Sequence, residues 1–329
     1  MGRFAGCRMA PEFGVVLMST TAEEDAQRNP GPDWGYGFLR LTDKIVPECI
    51  FRPVRALGTA IAMAGMPRQR RHSRDYLRLI LGREPRLREI FRHFFAFEEA
   101  LMLKLRIANG RHIPCKYKGD AEDFRAWLDG GGGQVLLGSM HVGVSDMLGF
   151  QIGGRGAHSV YMVRQKVANS HDTERLERRF GGRVKFIWVN DPKDMLFALK
   201  EAASTPHPIA MKCDRVEHSS RVESFDFLGK RRVFPFTIYY LALIFRRPVL
   251  MSVGVSGDDG VSELHATPLL ELREGESREA FLVRARAHFQ AFLHLIEGLL
   301  RRDPYVWFNF TELNPEPAEV TSDAARVKP

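Results

Sequence analysis

Six short apolar runs, at residues 134–140, 159–163, 184–189, 208–212, 248–255 and 263–270, follow one another from Lys118 onward with helical segments between several of them. Runs of this length read as buried strands. Strands alternating with helices fold as an α/β sheet with helices on its faces. Asp191-Pro192 opens one of the intervening helices, with Asp191 as N-cap and Pro192 at the first helical position. Others span roughly 120–128, 236–245 and 278–302. The last carries Phe281, Ala285, Phe289, Phe292, Ile296 and Leu299 on one face.

Ahead of the alternation the pattern is helical only. Segments 34–46, 54–64, 71–81 and 85–108 are separated by Pro47, Pro53, Pro67 and Gly82. Residues 1–33 read as a flexible leader ending in Asn29-Pro-Gly-Pro32, and Met18 stands inside it as an alternative start. The domain reading is a leader (1–33), one domain (34–314) with a helical part (34–117) and an α/β core (118–314), and a disordered tail (315–329).

The 329 residues are 44% hydrophobic, enough for a sizeable core, and no stretch is long enough to cross a bilayer. A formal charge of +8 favours an anionic partner: nucleic acid, an anionic membrane surface or a phosphorylated substrate. The densest basic run, Pro67-Arg-Gln-Arg-Arg-His-Ser-Arg74, suits either a solvated helix start or lipid phosphates beside apolar helices. Cys7, Cys49, Cys115 and Cys213 have neither disulfide nor metal-ligand spacing, so no metal site is expected. Gly130-Gly-Gly-Gly133 precedes a strand instead of following one, the wrong order for a nucleotide-binding loop. No G-x-S-x-G elbow is complete, and no H-E-x-x-H or Walker A motif occurs.

The chemistry concentrates at strand ends, where open α/β sheets place their sites. His141 follows the run 134–140, and Asp146 stands where the next helix begins. Four intervening residues allow the carboxylate to fold back onto the imidazole, fixing its tautomer and leaving one nitrogen as a base. The alternative is a loop histidine with Asp146 as a helix cap. Gly143 gives the backbone room to pass a substrate closely. Two more strands end in charge, Arg164 with Lys166 and Asp214 with Arg215, and a basic loop at 225–235 follows. Together they describe a pocket that binds an anion and removes a proton.

His141-x4-Asp146, Tyr161-x-x-Arg164, Asp214, Val222-Glu-Ser-Phe-Asp-Phe-Leu-Gly229, Phe234-Pro235 and the closing Pro304-Tyr-Val-Trp-Phe-Asn-Phe-Thr311 form an ordered series. The series resembles the lipid A biosynthesis (lauroyl/myristoyl) acyltransferase family of the lysophospholipid acyltransferase-like superfamily, over residues 34–314. The resemblance implies a glycerol-3-phosphate-acyltransferase-like sheet flanked by helices. It implies transfer of a fatty acyl group from acyl carrier protein or acyl-CoA, with no further cofactor, to a hydroxyl of a lipid A-type or other glycolipid acceptor. His141 and Asp146 would be catalytic, and Ser145, Arg164, Asp214 and Arg215 would bind substrate. The implied location is peripheral, on an anionic membrane surface at the cytoplasmic face of the bacterial inner membrane, without nucleic acid. A non-catalytic lipid-binding relative and a basic nucleic-acid-binding protein are the rival readings. The nucleic-acid reading lacks any known motif.

Overall fold

A computed structural model of the chain describes residues 33–154, 159–164, 177–189, 192–216, 219, 221–257 and 261–317. The leader up to residue 32, nearly all of the tail, Lys166 and the Asp191 cap lie outside the described residues. Four helices come first: α1 (Asp33–Ile45), α2 (Glu48–Gly65), α3 (Pro67–Leu81) and α4 (Leu87–Ala108). Pro67 opens α3 at a position where its missing N–H costs nothing, and Gly82 ends that helix with φ 65°. Pro53, expected to separate two helices, instead lies inside α2. Phe51 of the same helix packs with Met102 and Leu105 of α4.

The sheet begins at β1 (Cys115–Lys118), which sequence reading placed at the end of the helical part. Four residues with polar alternate positions give too weak a period to register as a strand. Then come α5 (Asp120–Asp129), β2 (Leu136–Ser139), α6 (Met147–Gly154), β3 (Val160–Arg164), β4 (Val184–Trp188), α7 (Pro192–Ser204) and β5 (Ile209–Lys212). The hairpin β6 (Val222–Phe227) and β7 (Lys230–Pro235) follows, then α8 (Thr237–Phe245), β8 (Val249–Ser256), β9 (Ser262–Ala266) and α9 (Arg278–Arg302). Seven strands form one sheet in the order β1-β9-β8-β2-β5-β3-β4, parallel throughout except between β8 and β9.

Side chains alternate between two cores, as the period of a strand requires. Leu136, Met251 and Val253 face one, with α3, α4, α7, α8 and α9. Leu137 and Leu250 face the other, with α5 and α6. The basic stretch 225–235, expected as a loop at the site, is mostly the β6–β7 hairpin. Its two-residue turn puts Leu228 and Gly229 at φ 52° and 77°, the geometry a tight hairpin needs. Leucine is uncommon at such a position, so the usual turn signal is absent from the sequence.

Candidate active site

Chain order in the sheet brings the site together. β5 inserts beside β2, and their register pairs Ser139 with Lys212. Two residues further along each chain, the same register sets His141 opposite Asp214. A hydrogen bond from the Cys213 N–H to the Ser139 carbonyl, 2.7 Å, carries the ladder past the strand ends. The Asp214 carboxylate then meets His141 twice: Oδ1 lies 2.8 Å from Nδ1, and Oδ2 accepts from the His141 backbone N–H at 2.9 Å. Trp307 Nε1–H donates to Oδ2 as well, at 3.3 Å.

A carboxylate on Nδ1 makes that nitrogen the donor and leaves the lone pair on Nε2. Burial, then the Arg215 charge, lower the imidazole pKa to about 4 against the opposing pull of Asp214. The ring is therefore neutral at neutral pH, the form a general base requires. Burial opposes ionisation of Asp214, but the paired His141, the Arg215 charge and the backbone N–H hold it well below the usual carboxylate range.

The carboxylate on the imidazole is thus Asp214, not Asp146. Asp146 is buried and engaged by two ammonium groups, Lys104 Nζ at 2.5 Å from Oδ2 and Lys212 Nζ at 2.9 Å from Oδ1. Burial would raise its pKa; Lys104, Lys212 and Arg164 hold it well below the ordinary value. The chain between His141 and Asp146 does not fold back over the ring, because it is drawn across β8. Gly143 at φ 54° sits so close to the Gly254 carbonyl that a Cβ would come within 2.4 Å. The Val144 N–H donates to that carbonyl at 2.7 Å. The close approach foreseen for Gly143 is to this strand. Asp146 also starts α6, its carbonyl accepting the Phe150 N–H.

The other expected residues stand in the loop after β2 and at the ends of β3 and β5. The half-buried Ser145 offers its carbonyl to Ser139 Oγ at 3.4 Å. Arg164 ends β3 with its guanidinium 5.4 Å from the centre of the Phe186 ring. Arg215 follows Asp214, half-buried and close enough for its charge to act on His141.

The closing segment braces the loop from behind. Trp307 bridges Val142, the Phe308 N–H donates to the His141 carbonyl at 2.8 Å, and the Gly143 N–H donates to Val306 at 2.7 Å. Fully buried His93 holds the Trp307 carbonyl through Nε2 at 2.8 Å while Nδ1 accepts from Ser73 Oγ at 2.8 Å. Lys104, Lys212 and His93 were not among the sequence candidates. Lys212 was legible as a charge on the strand leading into Asp214. Lys104 was not, because only the packing of α4 on the sheet brings it there.

No family model matches the sequence, and no curated protein is matched. Among solved structures the chain is similar to the 1-acyl-sn-glycerophosphate (LPA) acyltransferase PlsC from Thermotoga maritima, at 14% identity and a TM-score of 0.36, over 75% of this chain and 98% of that one.

Proposed function

We propose that the protein is an O-acyltransferase that moves a fatty acyl group from a thioester, on acyl carrier protein or coenzyme A, to the hydroxyl of a glycolipid of lipid A type or another membrane lipid. The observation that carries this reading is the neutral His141 held at Nδ1 by Asp214 with Nε2 left as the base. Nε2 takes the hydroxyl proton as the oxygen attacks the thioester carbonyl. The tetrahedral intermediate collapses with cleavage of the C–S bond, and the imidazolium returns the proton to the leaving sulfur. Ester and free thiol result, and the histidine is regenerated. Asp214 keeps the tautomer and offsets the positive charge that forms on the ring. Arg164, Arg215 and Ser145 line the acceptor side in this reading.

The same reading puts the protein on an anionic membrane surface. Phe38, Leu41 and Ile45 of α1 and Ile50, Val54, Leu57 and Ile61 of α2 are between 49 and 70% exposed. On α2 this stripe lies opposite the buried Phe51, Arg55, Thr59 and Met63, about 150° around the helix at 100° per residue. Arg68, Arg71 and Arg74 are exposed at the start of α3. Apolar faces with cations beside them suit shallow burial among anionic lipids. Among the described residues no helix is long and apolar enough to cross a membrane.

The test is transfer itself. Purified protein with acyl thioesters and total membrane lipid should yield an acylated lipid and free thiol by mass spectrometry. The absence of any acylated product across chain lengths and both carriers, with folded protein, counts against the proposal.

A further inference from the structure

Beside the His141–Asp214 pair stands a second group of charges. β3 lies on the far side of β5 from β2, with Met162 paired to Ala210. Two residues on, the register sets Arg164 opposite Lys212. Paired residues on parallel neighbours point to the same face from strands about 4.8 Å apart, and like charges so placed repel. Lys104 brings a third cation from α4. The charges acting most strongly on Asp146 are these three, so one buried carboxylate stands among three cations. Among the described residues two positive charges remain over, in a place where an uncompensated charge is costly. Both lysine side chains keep about a quarter of their surface open, 25 and 23%, so the group can be reached from solvent.

We infer that Lys104, Lys212 and Arg164 form a binding site for a phosphate group, with Asp146 as the internal counter-ion that holds the two ammonium groups apart and in place. A phosphate dianion matches the excess charge, and lysines bind phosphate as point charges. The sheet edge places this site next to the base: Lys212 stands two residues before Asp214. Phosphate binding does not depend on the acyl-transfer reading. The assignment of the phosphate to a substrate does, either as part of the hydroxyl-bearing acceptor or as part of the donor's phosphopantetheine arm.

The experiment measures binding of inorganic phosphate, glycerol phosphate and coenzyme A to the full chain, by calorimetry and by melting temperature, against sodium chloride at matched ionic strength. Phosphate should bind saturably and raise the melting temperature, and Lys212→Met should weaken it about tenfold, as loss of a charged hydrogen-bond partner does. Asp146→Asn should melt lower than wild type in chloride and recover in phosphate, because the ligand takes over the role of the lost counter-ion. His141→Ala should bind phosphate like wild type, so a failed acyl-transfer assay leaves the site standing. Displacement of inorganic phosphate by glycerol phosphate points to the acceptor, and displacement by coenzyme A points to the donor. If chloride and phosphate act alike, or if Lys212→Met binds phosphate as tightly as wild type, the three cations and Asp146 are a structural network and the inference is wrong.

Discussion

The first two helices and the C-terminal edge of the sheet treat charge and apolar surface in opposite ways. On α1 and α2 two ion pairs face inward: Arg106 grips Asp43, and the buried Arg55 reaches Glu98, fastening both helices to α4. A stripe of their apolar side chains, from Phe38 to Ile61, is left in solvent. At the sheet edge apolar residues are packed away, and a histidine, two aspartates and two lysines are drawn together instead. Exposed apolar surface of this extent needs a nonpolar partner. Clustered buried charge of this kind gathers at functional sites. In the proposed reading the first region docks the protein on a membrane and the second carries out the transfer.

If the two regions are separate devices, each can be disabled alone. His141→Ala should lower acyl transfer by about 10²- to 10⁴-fold while vesicle binding is unchanged, since a positioned general base contributes about that much. Leu57→Glu with Ile61→Glu should do the reverse. Each side chain is worth about 1.5–3 kcal/mol on burial, so partition onto anionic vesicles should fall about a hundredfold or more. Transfer to a detergent-dispersed acceptor should persist. Sedimentation with vesicles reads the first effect and product formation the second; a variant losing both functions would merge the two regions.

Acid should destabilise the second region. The His93 imidazole, lowered by burial to about 4, is neutral in the folded protein at pH values where the unfolded chain has already bound a proton. Stability is then lost as pH falls from about 6.5 toward 4, by about 3 kcal/mol at 1.4 kcal/mol per pH unit. His141 contributes in the same direction. Melting temperature against pH should be flatter in His93→Gln, which cannot take up that proton. The smallest change should come from Trp307→Phe, which keeps the packing but removes one donor to Asp214. It should lower kcat about tenfold with KM unchanged, in keeping with one hydrogen bond to a charged group.

The strands at 134–140, 159–163, 184–189 and 208–212 were legible because continuous apolar runs between helices have few other ways to be buried. His141 was legible as a residue leaving such a strand. Its partner was not, because nothing local ties residue 141 to residue 214. That contact follows from β5 entering the sheet beside β2, whereas Asp146 was merely the carboxylate nearest in the chain. The same holds for Lys104, which reaches Asp146 only because α4 packs against the sheet, and for the β6–β7 hairpin, whose turn uses leucine where glycine or asparagine would have announced it. Periodicity reports burial. It does not report which strands become neighbours.

The two aspartates separate the readings most cleanly. Asp214→Asn and Asp146→Asn should be compared for kcat at saturating acceptor. Asp214→Asn should fall by about 10²- to 10⁴-fold, because the amide no longer enforces the tautomer of His141 or offsets its charge. Asp146→Asn should retain most of its kcat and show its defect in melting temperature and acceptor affinity. A collapse of kcat in Asp146→Asn together with near wild-type turnover in Asp214→Asn would contradict the assignment of Asp214 as the partner of the base.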